Sequence, residues 1–106
     1  MTYEKSLIAL ADPTRRRLLE RLCQRDHTVG ELATLTRVSQ PAVSQHLRVL
    51  HRAKLVTIRP EGTRRYYRAN REGLVHLRRY LEAMWDEVLT AYASEDSPPA
   101  KRKGKK

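Results

Sequence analysis

The sequence predicts a mainly α-helical domain carrying one small β-hairpin, in the order α-α-α-α-β-β-α, which is a winged helix-turn-helix. Three observations predict it. Two short helical segments, each opened by a hydroxyl-bearing cap, are joined by the tight connection Thr36-Arg37-Val38. Directly after the second, two runs rich in β-branched and aromatic residues flank the turn Pro60-Glu61-Gly62-Thr63. A long segment with one apolar stripe then closes the pattern.

Residues 3–11 read as a short helix with Leu7, Ile8 and Leu10 to bury. Asp12 offers an N-cap and Pro13 a first-turn proline, opening a helix through about Gln24. Leu18, Leu19 and Leu22 form its inner stripe, with Arg15, Arg16, Arg17 and Arg21 near solvent. Thr28-Val29-Gly30-Glu31 has the spacing of a capping box, and the short helix it starts turns Leu32, Ala33 and Leu35 inward. Ser39 caps the next helix, which has Pro41 in its first turn and runs to about Arg52. Strands at 55–59 and 64–68 enclose the turn, where Gly62 can take positive φ. Asn70 caps the last helix, which reaches about Ser94 with Leu74, Leu77, Leu81, Met84, Trp85, Val88 and Tyr92 in one stripe.

A chain of 106 residues, 40% hydrophobic and without Phe, fits one small domain, here 1–94, with a thin core that a second copy would help to cover. Residues 95–106, which include two prolines and five cations, are expected to form a disordered basic tail, either a solubilising end or a loose phosphate-binding arm. The single cysteine excludes a disulfide framework within the chain. Apolar runs such as Leu7-Ile8-Ala9-Leu10-Ala11 are far too short for a membrane span or a signal peptide, so a cytoplasmic protein without membrane partners is expected.

The formal net charge of +10 is unevenly placed. Residues 1–36 carry +1, residues 72–96 carry −4, and residues 97–106 carry +5. Residues 37–71 carry +8, with nine cations against Glu61 alone. That segment is the expected footprint of a polyanion. At ~100° per residue, Val43, Leu47 and Leu50 fall on one side of the helix at 40–52. Pro41, Ser44, Gln45, Arg48 and Arg52 fall on the other, with Ser39 and Gln40 at its start. Ser, Gln and Arg are donors and acceptors suited to base edges, and no carboxylate is present to repel phosphate. An ordinary solvated face would mix both signs. On the hairpin, Arg64 and Arg65 near the tip suit backbone or minor-groove contact, while Arg68, Tyr66 and Tyr67 rank lower because some must pack the wing on the body. The partner expected is double-stranded DNA.

The segments LADPTRRRLLERL, TVGELATLTRVSQPAVSQHLRVLHRAKLV and RPEGTRRYYRAN closely resemble the ArsR/SmtB winged-helix repressors, over roughly residues 6–92. The resemblance implies a cytoplasmic homodimer that occupies a partly palindromic operator and represses transcription, often of its own operon. It also implies that the helix at 40–52 enters the major groove, with Ser44 and Gln45 at base-reading positions. The first and last helices would form the dimer interface, here Leu7, Ile8, Leu74, Leu77, Leu81, Met84, Trp85 and Val88. The apolar stripe supports the same dimer independently, since little else in so small a domain is left to cover it. The alternative is a long helix folded back on its own domain.

Many members of that family release DNA on binding a metal. The helix before the recognition helix carries no thiol here, and Leu74 stands two residues before His76 where the resemblance would want Asp. One imidazole with distant carboxylates is a poor transition-metal site, so no metal and no cofactor is expected, and the effector is unknown. Cys23 reads as a small buried hydrophobe closing the second helix; the alternative is a metal- or thiol-responsive derepressor using Cys23 or His76. A protein-interaction module that has lost DNA reading is a further alternative, opposed by the carboxylate-free face. Catalysis is not expected, because no triad or paired-carboxylate arrangement sits in a pocket-forming loop.

Overall fold

The structure is a computed structural model that describes residues 3–95. Five helices and one hairpin follow one another as α1 (Tyr3–Leu10), α2 (Pro13–Gln24), α3 (Val29–Thr36), α4 (Gln40–Arg52), β1 (Val56–Glu61), β2 (Arg64–Ala69) and α5 (Arg71–Glu95). This is the expected order. Residues 96–106, most of the expected basic tail, lie outside the described residues; Glu95, placed in that tail from sequence, closes α5 instead.

Three of the helices, α2, α3 and α4, begin where their caps stand. The Asp12 carboxylate accepts from the amides of Thr14 (2.7 Å) and Arg15 (3.1 Å), and these bonds, that from Arg15 foremost, hold it below the usual aspartate range. Thr28 and Glu31 exchange both bonds of a capping box, and the Thr28 amide is the main reason the Glu31 carboxyl is also lowered. The Ser39 hydroxyl accepts from the Ala42 amide at 3.3 Å.

Around a core of Leu18, Leu32, Val43, Leu47, Leu50, Leu55 and Val56, all essentially without solvent access, α2, α3 and α4 pack on one another. The fit departs from expectation at three places. Leu35 is 41% exposed, because it lies about 100° around α3 from the face formed by Val29, Leu32 and Ala33. On α1 the inward residues are the small Ser6 and Ala9, which let the helix lie close to the body, while Leu7 and Ile8 face outward at 42% and 65% exposure. Arg15, expected near solvent, is half-buried: its guanidinium donates to Ala9 O (2.7 Å) and to Ile8 O (3.3 Å), which also accepts from the Ala11 amide, so it helps satisfy the carbonyls at the end of α1.

The hairpin is antiparallel, with Val56 opposite Ala69 and Glu61 opposite Arg64. Its turn is shorter than expected, only Gly62-Thr63, with Gly62 at φ 63°. Pro60 therefore lies inside β1, tolerated because a two-stranded sheet leaves β1 a free edge. His27 and Tyr67 exchange backbone bonds of 3.0 and 2.8 Å, which fasten β2 to the loop before α3.

Chain direction into α5 is set at Asn70, whose side-chain amide donates to Lys54 O at 2.9 Å. One turn later a Cβ on Gly73 would stand 1.8 Å from that same carbonyl. Only glycine lets α5 cross there. Leu74 packs against the core and Leu77 is buried within the chain, but beyond them α5 carries its apolar stripe uncovered.

Candidate nucleic-acid interface

Burial of Val43, Leu47 and Leu50 leaves the opposite face of α4 no choice but solvent. Gln40, Pro41, Ser44, Gln45, Arg48 and Arg52 are all exposed there, as is Ser39 at the helix start. Ser39 uses its oxygen for the cap, which leaves its O–H hydrogen to donate outward. The Gln40 side chain lies over Gly30 at the start of α3. The helix contains no Asp or Glu, and its free amides and positive dipole end point toward the same side as its polar start.

The wing divides its four arginines by height. Midway up, beside the Pro60–Arg65 rung, Arg59 donates to Glu61 (2.8 Å) and Asp26 (3.3 Å) and lies over the Tyr66 ring at 4.9 Å. Those two carboxylates, Glu61 first, raise its pKa further. Arg68 pairs with Asp26 at 3.5 Å. Arg64 and Arg65 at the tip are exposed, with no carboxylate at ion-pair distance among the described residues. Tyr67 packs against the core and Tyr66 beneath Arg59.

Sequence reasoning missed one contact behind this face. His46, on α4, sits 3.4 Å from an Arg15 guanidinium nitrogen, so Arg15 joins the end of α1 to the recognition-type helix. The first of three consecutive arginines, Arg15 to Arg17, gave no signal of it. Also unforeseen is a cleft of about 280 Å³ in which Arg64 and Arg65 face Thr28, Val29 and Gly30.

On α5, Leu81, Met84, Trp85 and Val88 are 44–62% exposed, and Leu7 and Ile8 open outward from α1, which packs on α5. Leu89 and Tyr92 extend the stripe. An exposed apolar surface of this kind marks an interaction site. Leu74 and Leu77, grouped with it from sequence, are instead packed largely within their own chain.

Cys23 corrects the sequence reading: it is exposed, not buried. As the penultimate residue of α2 it faces a surface hollow instead of the core. His76 is also exposed. Among the described residues no three His, Cys, Asp or Glu side chains are grouped so as to hold a metal ion, and no helix is long and apolar enough to cross a membrane.

With this geometry in hand, the chain can be set beside known proteins. Residues 12–57, from the cap of α2 into β1, match the family described as bacterial regulatory protein, arsR family. The chain is 54% identical over 85 residues to the HTH-type transcriptional regulator Rv2034 of Mycobacterium tuberculosis, covering 80% of this chain and 79% of that one. Its fold is similar to that of an ArsR-like transcriptional regulator from Rhodococcus sp. RHA1, with a TM-score of 0.75 at 34% identity over 85% of this chain and 88% of that one. It is also similar to the homodimeric winged helix-turn-helix DNA-binding domain Mb0332 of Mycobacterium bovis, with a TM-score of 0.67 at 32% identity over 81% and 80% of the two chains.

Proposed function

The chain belongs to the arsR family of bacterial regulatory proteins, DNA-binding transcription regulators and not enzymes, and on that premise we propose that it is a homodimeric cytoplasmic repressor of a partly palindromic operator, its own promoter among the targets. Each subunit presents α4 to a major groove, with Ser44, Gln45 and Arg48 reading base edges. Ser39, Gln40, Pro41 and Arg52 sit close to the phosphates, and Arg64 and Arg65 reach the flanking backbone or minor groove. The apolar surface of α1 and α5 joins the two copies, which puts the two α4 helices about one DNA turn (~34 Å) apart.

The observation that carries this reading is the outer face of α4: polar, cationic at Arg48 and Arg52, and without a carboxylate. Repulsion from phosphate is thereby removed where a solvated helix would ordinarily have it. Selection from a random duplex library is the test. Enrichment of a two-fold-related motif is expected; binding with no enriched motif would sink the sequence-specific reading.

The exposure of Cys23 keeps a second reading in play, that a thiol reagent or metal acting at Cys23, or a metal at His76, releases the DNA. Operator affinity unchanged by zinc, cadmium, arsenite, copper and oxidants, and unchanged in Cys23→Ser and His76→Ala, would remove it.

A further inference from the structure

A hollow of about 540 Å³ opens where the end of α2, the end of β2 and the first turns of α5 meet. Its composition is layered. Leu22 is buried and Leu74 and Val75 are half-buried, so the deep part is aliphatic; Arg25, Arg68, Arg71 and Arg78 are exposed and ring the mouth. The one carboxylate at this mouth, Asp26, is already held by Arg59 and Arg68. Arg25 donates to a neutral acceptor, the Asp26 backbone carbonyl, at 3.2 Å. Arg71 has no carboxylate at ion-pair distance among the described residues, and Arg78 faces Glu82 only at 3.8 Å on a well-solvated surface.

Four guanidinium groups around a greasy hollow are an unfavourable arrangement unless something negative completes it. Mutual repulsion is left without any ion pair at Arg71, and is only weakly offset at Arg25 by the more distant Glu31 and at Arg78 by Glu82. The first turn of α5 adds the positive end of a 25-residue helix. Glu72, which would offset that end, lies on the opposite side of the helix, in a separate cavity with Gly73, His76 and Leu77. The volume is that of a small-molecule site, for which roughly 300–1,000 Å³ is usual.

We propose that this hollow binds a small organic anion with an aliphatic body, its carboxylate or phosphate held by Arg25 and Arg71 and its chain resting on Leu22, Leu74 and Val75. The assignment does not depend on the DNA reading, and its test needs no DNA. Octanoate is the probe, titrated calorimetrically into the full-length protein, with octanol lacking the charge and inorganic phosphate lacking the chain. One saturable site per chain is expected for octanoate, about tenfold weaker for either control. The double variant Arg25→Gln/Arg71→Gln and, separately, Val75→Asp should each weaken octanoate by about tenfold or more, with unchanged circular dichroism showing that the fold is retained. Absence of saturable octanoate binding at millimolar concentration overturns the proposal. So does equal binding of phosphate, which would leave a bare anion site, or loss of binding in Trp85→Ala instead of Val75→Asp, which would put the probe on the exposed stripe of α5.

Discussion

The helices α4 and α5 carry the same kind of apolar stripe and meet opposite fates. On α4, Val43, Leu47 and Leu50 have no solvent access, so the helix is pressed into the core and its polar side is left to solvent, the surface proposed for DNA. On α5 the stripe from Leu81 to Val88 is 44–62% exposed, so it is the apolar side that is left to solvent, the surface proposed for the dimer. Periodicity alone does not separate these two cases. What separates them is supply: α2, α3, β1 and α4 bury most of their large apolar side chains against one another, and within the chain nothing covers Leu81 to Val88 on the outer half of a helix about 37 Å long.

The sharpest way to break this contrast is to make the same substitution in both helices. Leu47→Ala should lower unfolding free energy by about 2–5 kcal/mol through cavity formation, by the same amount at every protein concentration. Leu81→Ala should instead shift the sedimentation equilibrium toward monomer, with a stability loss that grows as the protein is diluted. Matching, concentration-independent losses would mean that α5 is not an interface.

A second comparison is internal to the surface proposed for DNA. Gln45→Ala and Arg48→Ala should each weaken a preferred site by about 1–3 kcal/mol and blur discrimination between sequences. Fluorescence anisotropy on cognate and scrambled duplexes measures both, and equal losses on the two would reduce these residues to phosphate contacts. Smaller still is the expected effect of Arg64→Ala or Arg65→Ala, a uniform weakening with the log–log salt slope reduced by about 1. Arg68→Ala, tied to Asp26, should change that slope less.

The smallest effect concerns acid. Asp12 and Glu31 both have carboxyls lowered from ordinary values of 3.8 and 4.5. Stability from these caps is therefore fully present above those values and is lost as pH falls through the lower, folded ones. Thermal melts from pH 5 downward should show Asp12→Ala and Glu31→Ala with a shallower acid dependence than the parent; a parallel profile would show that the caps contribute nothing.

Features built by neighbours along the chain were legible in advance. Asp12-Pro13, Thr28 with Glu31, and Ser39 with Pro41 each hold their cap and helix start within four residues, and the two faces of α4 follow from helical rotation alone. The hairpin was visible too, though not that its ladder runs through Pro60. What could not be read were outcomes of distant packing. Cys23 is exposed because β2 and α5 leave a hollow beyond the end of α2. Leu77 is buried because the start of α5 is drawn onto the body. Arg15 serves α1 and faces His46, thirty-one positions away. Of the surface proposed for DNA, the residue set was readable, whereas the division of the wing arginines into anchored Arg59 and Arg68 and unpaired Arg64 and Arg65 depends on where Asp26 comes to rest.

The contact at Gly73 bears on a length outside the protein. Its missing side chain lets α5 rest directly on the Lys54 carbonyl, and so sets the angle between the body that carries α4 and the helix that carries the apolar stripe. In a dimer joined through that stripe, such an angle works as a caliper: a change of a few degrees at the pivot opens or closes the jaws by several ångströms. A methyl group there would alter which spacing of half-sites the pair can span, and the reading of each half-site would be left intact.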